Sequence, residues 1–417
     1  MSNHVNITSE TGRLETVIIH TPGREVENMT PESAKRALYS DILNLDVAIK
    51  EYEQFKGVLN KVAKTYEVKD LLQNILFDES VKSGLLDEIY KEEKLGEQHR
   101  FLYSLNTEEL TRQLLEGVLV HKNNLTNFLS KERYSLPPLH NFFFTRDAAM
   151  AIHDRVLIGE MANKVRNRES LIMKAIFRNH PDVKSETIAP LECMTCMDDV
   201  TIEGGDVLVA SENILLIGIG ARTTTQGVDY ILSRMKERKV SRHIVIQELP
   251  DMPESFIHLD MTFTFLDNNQ CMVYEPLILK PNKYQTVRIS IEDGEVTQIR
   301  NEINIIDCLR KLGMDMNPIL CGGKNDQWIQ EREQWHSGAN FFAFAPGKVI
   351  GYERNVYTME AMNKNGYEII RAKDVINGKI DPFDYNKCVV TIGGSELARG
   401  GGGARCMTMP VRRKSID

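Results

Sequence analysis

The sequence lacks a long apolar run, and this absence bears on where the chain resides. No stretch approaches the ~18 consecutive apolar residues of a membrane-spanning helix. The opening segment, MSNHVNITSETGR, is polar and lacks the charged and then apolar pattern of a secretory signal. We therefore predict no association with membranes and a cytoplasmic location.

Cysteine and clustered positive charge are scarce as well. Seven cysteines among 417 residues, an odd number at irregular spacing, do not have the pattern of a disulfide framework. The net charge is −8, and lysine and arginine are spread along the chain, so a nucleic-acid backbone would meet mostly like charge. We expect free thiols and no nucleic-acid partner. The hydrophobic fraction of 42% and the absence of low-complexity runs are typical of a folded globular protein.

The N-terminal third carries local signals of one strand and several helices. Residues 13–20 have the pattern of a strand, and Thr21-Pro22-Gly23 ends it with turn residues. Thr30 and Pro31 are typical of a helix start, as are Asn106 and Glu109 further along the chain. One apolar helical stripe comprises Ala48, Tyr52, Phe55, Leu59, Val62 and Tyr66.

These signals suggest a domain division. Helical periodicity dominates from residue 31 to about residue 130, whereas a different pattern begins near residue 139. We predict a catalytic domain made of residues 1–30 and 131–417, interrupted by a helical insertion of residues 31–130.

A repeated unit occupies the remainder of the chain. In each copy a polar or acidic cluster is followed by a short apolar strand, a turn and a second apolar strand. If such units surround an axis, equivalent positions meet at one end of it. The four copies are FTRDAAMAIHDRVLIG (144–159), EGGDVLVASENILLIGIG (203–220), HLDMTFTFLDNNQCMVYEP (258–276) and SGANFFAFAPGKVIGY (337–352), and a fifth polar cluster is SELARGGGGARC (395–406).

The polar clusters then predict one shared site. A thiol, a histidine and several carboxylates without a recognisable metal grouping favour covalent catalysis assisted by acid and base groups. Paired carboxylates beside a nucleophile would bind a planar cation, and guanidinium has that geometry. The converging residues would be Asp147, Glu203, Asp206, His258, Asp260, Asn340 and Cys406.

Cys406 is the candidate nucleophile. It follows a run of glycine and alanine that can approach a ligand closely, and we expect this to leave the sulfur accessible. A thiol needs a nearby cation to ionise at neutral pH, and both Arg405 and a bound cationic substrate are candidates. His258 and Asp260, two residues apart, would face the same side of one strand.

The other cysteines are interpreted differently. Cys193 and Cys196 have the spacing of a redox pair or half a zinc site, but no second pair accompanies them, so we predict a loop leading to Glu203. We expect the remaining four outside the glycine-rich loop to be small buried apolar side chains: Cys271, Cys308, Cys321 and Cys388.

Motifs along nearly the whole chain resemble the arginine deiminases of the guanidine-modifying superfamily. The resemblance implies an α/β fold, a five-bladed pseudo-symmetric α/β propeller of ββαβ repeats with a helical insertion. The motifs that carry it are LETVIIHTPGREVENMTPE, NFFFTRD, MANKVRNRE, EGGDVLV, GIGARTT, HLDMTF, VIGYERNVYT and ELARGGGGARCMTMP.

The resemblance also implies roles for individual residues. Cys406 would attack the guanidinium carbon to release ammonia, His258 would move protons, and Glu203 would orient His258. Asp147 and Asp260 would hold the guanidinium nitrogens, and the product would be citrulline. The substrate's other end would contact Asn141, Phe144, Arg166, Arg222, Gly400 and Arg405. No cofactor and no metal are implied, and a homo-oligomer such as a dimer is compatible with the family.

One loop departs from the family pattern E-L-G-R-G-R-G-G-G-H-C. Here Gly401 stands at the second arginine and Arg405 at the histidine, and Arg405 is a candidate to replace the missing charge. Other guanidino or ureido substrates therefore stay open, among them agmatine, a substituted arginine and citrulline. Transfer of the amidino group to an amine is a chemically close alternative, and a non-catalytic propeller that only binds is another.

Overall fold

A computed structural model describes residues 4–30, 39, 41–192, 199–237, 242–324 and 326–416. The predicted helix start at Pro31 and the Cys193 to Cys196 loop lie outside these residues. Within the described ranges, no helix has both the length and the apolar character needed to cross a membrane.

The strands of the described residues are numbered in chain order. They are β1 (Leu14–Ile19), β2 (Lys64–Glu67), β3 (Val118–Leu119), β4 (Tyr134–Leu136), β5 (Ala149–Ile152), β6 (Arg155–Ile158), β7 (Thr187–Ile188), β8 (Val207–Ser211), β9 (Ile214–Ile219), β10 (Arg242–Glu248), β11 (Phe263–Asp267), β12 (Gln270–Val273), β13 (Thr286–Glu292), β14 (Glu295–Glu302), β15 (Asn317–Leu320), β16 (Phe342–Ala345), β17 (Lys348–Tyr352), β18 (Glu368–Arg371), β19 (Cys388–Ile392) and β20 (Met409–Arg413).

The helices are numbered in the same way. They are α1 (Arg24–Glu27), α2 (Leu45–Val62), α3 (Val68–Ile75), α4 (Glu79–Glu92), α5 (Thr107–Glu116), α6 (Leu125–Leu129), α7 (Asn167–Asn179), α8 (Thr225–Lys236), α9 (Glu275–Ile278), α10 (Ile305–Lys311), α11 (Gln327–Trp335), α12 (Val356–Lys364) and α13 (Ala372–Ile376).

In the described part of the chain, five sheets share one strand pattern. Two neighbouring strands run antiparallel, and a third strand runs parallel to the second after a helical connection. The predicted α/β fold and its four hairpins are confirmed. The sheets are β20-β1-β2, β5-β6-β7, β8-β9-β10, β11-β12-β15 and β16-β17-β19, with β13 and β14 added to the third sheet, β18 added to the fifth and β3-β4 forming a separate pair.

The two ends of the chain together build the first sheet. Strand β1 pairs antiparallel with β20, so that Ile18 lies opposite Met409, and parallel with β2. Since Cys406 comes three positions before β20, this pairing fixes the loop that carries the candidate nucleophile.

Helix α2 belongs to this first sheet. The predicted stripe is buried from Ala48 to Val62, but the helix ends at Val62, and Tyr66 lies on β2 instead of on the helix. The strand period replaces the helical one because residues 64–67 pair with β1. The helical insertion of residues 31–130 stays a prediction, and within it α2 and β2 belong to the first sheet, so the helices beyond that sheet begin at Val68.

Helices α4, α5 and α6 of the insertion start at side-chain caps, and the insertion packs against the second sheet's helix. Asn106 accepts a hydrogen bond from the backbone N–H of Glu109 at 2.8 Å, so the helix start predicted there is confirmed. Helices α3 and α4 pack on α7, and their leucines join the core under the second and third sheets.

Candidate active site

Each of the five sheets is preceded by one polar segment, and these segments form a closed ring of hydrogen bonds. Every segment contacts the next one, and the last contacts the first, so the five polar segments meet at one place. The contacts are Arg146 N to Cys406 O at 3.1 Å, Gly204 N to Asp147 O at 3.1 Å, Leu259 N to Asp206 Oδ1 at 2.9 Å, Asn340 Nδ2 to Asp260 O at 3.1 Å and Cys406 N to Asn340 Oδ1 at 3.3 Å.

His258 lies between two carboxylates in this ring. Its Nε2 is 2.9 Å from Oε2 of Glu203, and its Nδ1 is 3.8 Å from Oδ1 of Asp147. Burial alone would lower the pKa of His258, but Asp147, Glu203 and Asp206 together raise it to about 9. The imidazole is therefore protonated at neutral pH and can donate a proton.

The predicted strand geometry of His258 and Asp260 is wrong. Leu259–Met261 is a short 3-10 turn, closed by the N–H of Met261 on the carbonyl of His258, and the strand starts only at Phe263. The turn sends His258 to Glu203 and leaves Asp260 beside Cys406.

Cys406 is buried, with 4% of its surface exposed, so the predicted accessible sulfur is also wrong. Its Sγ lies 3.1 Å from Nδ2 of Asn340 and 3.6 Å from Oδ2 of Asp260. Burial raises the pKa of the Cys406 thiol well above its ordinary value, and Asp260 and Asp147 raise it further. Arg405 acts in the opposite direction without reversing the shift. The free protein therefore holds a thiol rather than a thiolate.

The glycine-rich loop packs tightly around this sulfur. A Cβ at Gly403 would lie 2.7 Å from side-chain atoms of Asn340, so this position has room only for glycine. The amide of Asn340 also accepts the N–H of Arg405 at 2.9 Å. Asn340 thus fixes the loop backbone immediately before Cys406.

Arg166 contacts Asp147, the carboxylate expected to hold the substrate. Its Nη1 donates to Oδ2 of Asp147 at 2.7 Å, and its Nε and Nη2 donate to Oε2 of Glu169 at 3.0 and 2.8 Å. Burial opposes ionisation of Asp147, but His258 and Arg166 keep its pKa below the ordinary value. Asp147 is therefore an anion at neutral pH.

Arg405 contacts the other expected clamp, Asp260. Its Nη1 donates to Oδ2 of Asp260 at 2.9 Å, while Nε and Nη2 both donate to Glu10 at 3.0 Å. A Cβ built on Gly401 would meet no atom within 4 Å. The idea that Arg405 replaces the missing charge at Gly401 is contradicted by this placement, because its guanidinium is held by Glu10 and Asp260 instead.

The remaining predicted binding residues surround the same site. Arg222 is buried, with Nη1 3.9 Å from Oε1 of Glu203. The ring of Phe144 packs against the loop, and a Cβ at Gly400 would lie 3.0 Å from it. The backbone carbonyls of Phe144 and Asn141 accept from Arg166 at 3.2 and 3.5 Å.

Asp147, Glu203 and His258 also have the spacing of a metal site, since their donor atoms lie within 4.8 Å of one another. Their hydrogen-bond partners account for this clustering. Glu203 receives His258 and the N–H of Ala162, and Asp147 receives Arg166, so protein cations already balance the carboxylates. We interpret the group as a proton-transfer arrangement.

Sequence reasoning missed two acidic residues of the site. Glu169 follows Arg166 by three positions on a helix, a spacing that places the two side chains together and could have identified it. Glu10 stands in the N-terminal segment outside every quoted motif, and the pairing of this segment and of β1 with β20 brings it near Arg405.

Comparison with known proteins identifies the family to which the chain belongs. The arginine deiminase family pattern matches residues 35–413. The arginine deiminase of Oenococcus oeni is 31% identical over 99% of this chain and 98% of its own. That of Borrelia duttonii is also 31% identical, with the same coverage.

Solved structures at low sequence identity share the fold of this chain. An amidinotransferase from Microseira wollei superposes with a TM-score of 0.55 at 13% identity, over 99% of this chain and 98% of its own. A cyanobacterial arginine dihydrolase domain reaches 0.54 at 13% identity, over 96% and 99%. These likenesses concern the fold, whereas the sequence matches above run along the entire chain. The chain belongs to the arginine deiminase family.

Proposed function

We propose that the protein hydrolyses L-arginine to L-citrulline and ammonia through a covalent intermediate on Cys406. One observation carries this proposal: the Cys406 sulfur lies 3.6 Å from the Asp260 carboxylate, within a ring that also holds Asp147 and His258. The named arginine deiminases that align with the whole chain support the same reaction.

The buried acids favour a cationic substrate. Asp147 and Asp260 each have one oxygen engaged by a protein arginine, and Oδ1 of Asp260 faces Cys406 at 3.7 Å. A guanidinium held between these two carboxylates would place its central carbon near Sγ and receive charge-assisted hydrogen bonds. Asp147 and Asp260 would then stabilise the cationic tetrahedral adduct.

In the first step, Cys406 forms an S–C bond to the guanidinium carbon. The thiol loses its proton to solvent when the cation binds beside it, because the added positive charge lowers the pKa that burial and the acids raise, and the thiolate regains a proton when the product leaves. Protonated His258 gives its proton to a terminal nitrogen, the C–N bond breaks, and ammonia leaves. An S-alkylthiouronium and a neutral imidazole remain.

In the second step, water replaces sulfur. Neutral His258 takes a proton from water, and the resulting hydroxide adds to the thiouronium carbon. The C–S bond then breaks, the sulfur leaves as thiolate, and the carbon becomes the urea carbonyl of citrulline. One further proton passes to ammonia, so guanidinium plus water yields citrulline plus ammonium. Glu203 holds His258 in place through both transfers.

The contacts of the buried arginines support a second candidate substrate, one that lacks the carboxylate of L-arginine. Arg166 is held by Asp147 and Glu169, and Gly401 has no side chain, so Arg222 is the least engaged cation of the predicted set. Losing one charged contact costs about 1.5–3 kcal/mol, or roughly ten- to a hundredfold in affinity. A guanidino compound without that carboxylate, such as agmatine, is therefore our second candidate.

Ammonia release from L-arginine, agmatine and citrulline, measured in parallel with Cys406→Ser as the blank, tests both candidates. Turnover of L-arginine supports the first, and turnover of agmatine alone supports the second. If none of the three compounds releases ammonia, the deiminase role is contradicted and a binding protein is favoured.

Two further expectations accompany the proposal. We place the reaction in the cytoplasm, where the buried free thiols, such as Cys271 and Cys388, would stay reduced. A homo-oligomer such as a dimer stays a prediction that sedimentation can check.

A further inference from the structure

Two buried arginines in the site each bridge a pair of carboxylates. We call the first group the Asp147 triad, made of Glu169, Arg166 and Asp147. The second is the Asp260 triad, made of Glu10, Arg405 and Asp260. All six side chains are buried.

The two triads use the same donors in the same way. In each, Nη1 of the arginine donates to Oδ2 of the aspartate, at 2.7 Å for Asp147 and 2.9 Å for Asp260. Nε and Nη2 donate to the outer glutamate in both. Nη2 also donates to a backbone carbonyl, of Phe144 at 3.2 Å and of Val207 at 2.8 Å.

The arrangement settles which oxygen of Asp260 is free. Both oxygens lie near the Cys406 sulfur, Oδ2 at 3.6 Å and Oδ1 at 3.7 Å, but Arg405 engages Oδ2 and so leaves Oδ1 for a ligand. Arg405 cannot drift, because Glu10 holds its opposite edge with two hydrogen bonds. A bidentate partner of this kind fixes orientation as well as charge.

The charges explain why an arginine is needed at this position. Burial raises the pKa of Asp260 and Asp147 raises it further, whereas Arg405 and His258 oppose the rise, so without Arg405 the carboxylate would lose the larger of these two opposing influences. Glu10, on the far side, faces Arg146 and Arg413 as well as Arg405. Buried carboxylates without a partner take up protons, and a protonated Asp260 would bind a cation weakly.

We propose that Arg405, anchored by Glu10, is a positioning residue that keeps Asp260 ionised and turns its free oxygen toward the guanidinium of the substrate. The proposal rests on the proposed guanidino hydrolase function. It assigns a purpose to the arginine that stands where the family pattern has histidine, next to the nucleophile.

The test compares two alkylating agents on Cys406 across pH. Chloroacetamidine carries a cationic amidine that Asp260 would hold, whereas iodoacetamide is neutral. The ratio of their rates cancels effects common to both reagents, such as access to Cys406, and leaves the effect of the cation: its binding and the thiol ionisation that it promotes. Arg405→Gln should lower this ratio roughly ten- to a hundredfold at neutral pH. It should also move the acid limb of chloroacetamidine labelling to higher pH.

Two more variants separate positioning from folding. Glu10→Gln removes a negative charge but keeps Arg405, so its acid limb should stay in place or move to lower pH. Arg288→Gln removes another buried ion-paired arginine, the partner of Glu302 at 3.2 Å in the third sheet. This control should leave the rate ratio unchanged whatever it does to stability.

The outcomes are distinct. A folded Arg405→Gln protein with an unchanged ratio and acid limb would overturn the proposal. If that protein does not fold, Arg405→Lys replaces it: partial loss of the ratio supports positioning, and full retention contradicts it. Because labelling needs no turnover, a ratio that falls in a protein inactive on arginine would sink the proposed function and leave the positioning role intact.

Discussion

Nε2 of His258 lies 2.9 Å from Oε2 of Glu203, a direct hydrogen bond between two fully buried side chains. The bond joins the polar segments of the third and fourth sheets. The packing of these two sheets therefore sets the position of the imidazole that transfers protons. A carboxylate in this position stabilises the imidazolium form and fixes the ring.

The pH profile should report this bond. The pKa of His258 is raised to about 9, so the proton donor is present below that pH and is lost as the pH rises through it. We expect kcat/KM to fall on an alkaline limb near pH 9 in the wild type. In Glu203→Gln the limb should move toward the ordinary histidine value of about 6.5, and kcat should drop by roughly 10²-fold. An alkaline limb that stays in place in Glu203→Gln would show that another group controls it.

The state of the nucleophile gives a second prediction. Burial, Asp260 and Asp147 raise the pKa of the Cys406 thiol, so the free protein should show no Cys406 thiolate at pH 8. Thiolate absorbance at 240 nm, taken as the difference between wild type and Cys406→Ser, measures this directly. A thiolate signal at pH 7 without substrate would contradict substrate-assisted ionisation.

Position 401 offers a third prediction. A Cβ at Gly401 meets open space, so an arginine side chain fits there. Because the φ angle of Gly401 is +84°, an arginine would add backbone strain of about 1–2 kcal/mol. If the family arginine contributes to carboxylate binding, Gly401→Arg should lower KM for L-arginine and leave KM for agmatine unchanged. Steady-state kinetics on both substrates measures the two KM values. Gly378→Arg is the control for backbone strain, because Gly378 is a remote glycine that also has positive φ, +70°, and open space around its Cβ position. Equal changes in both KM values would exclude a role in carboxylate recognition.

Features set by neighbouring residues in the sequence were predictable, whereas features set by contacts between distant segments were not. The hairpins and the polar segment before each one were predictable, because strand period, turn residues and motif order are local signals. Tyr66 was assigned to a helix because its spacing fits one, whereas pairing with β1 makes it a strand residue. Tertiary contacts override a local period in such a case.

The site residues that lie just before a strand of the repeat could be predicted from the sequence. The contacts between segments far apart in the sequence could not. Cys406, Asp260 and Asp147 occupy similar positions in the repeat, two or three residues before their own strands, so convergence followed from the repeat itself. The contact between Arg405 and Glu10 could not be predicted from the repeat, since Glu10 lies 395 positions away in sequence. Such pairing follows from closure of the first sheet by both chain ends.

Glu51 supports a last prediction, because it anchors the start of the nucleophile loop. This buried carboxylate on α2 accepts the backbone N–H of Ser395 at 2.7 Å and those of Glu396 and Leu397 at 3.0 Å, as well as the Ser395 hydroxyl. In Glu51→Gln, one oxygen is replaced by an NH₂ group that faces these donors. We expect the free energy of unfolding to fall by about 1–3 kcal/mol and kcat/KM to fall roughly tenfold as the loop loosens around Cys406.

Glu53→Gln is the matched control, since Glu53 is exposed on the same helix two positions away. It makes the same chemical change without touching the loop, so both its stability and its kcat/KM should match the wild type. Denaturant unfolding and steady-state kinetics on the two variants measure the difference. If Glu51→Gln loses stability but keeps its full kcat/KM, the carboxylate stabilises the fold without setting the position of the nucleophile loop. If both quantities fall together in Glu51→Gln alone, the helix holds the loop in its reactive position.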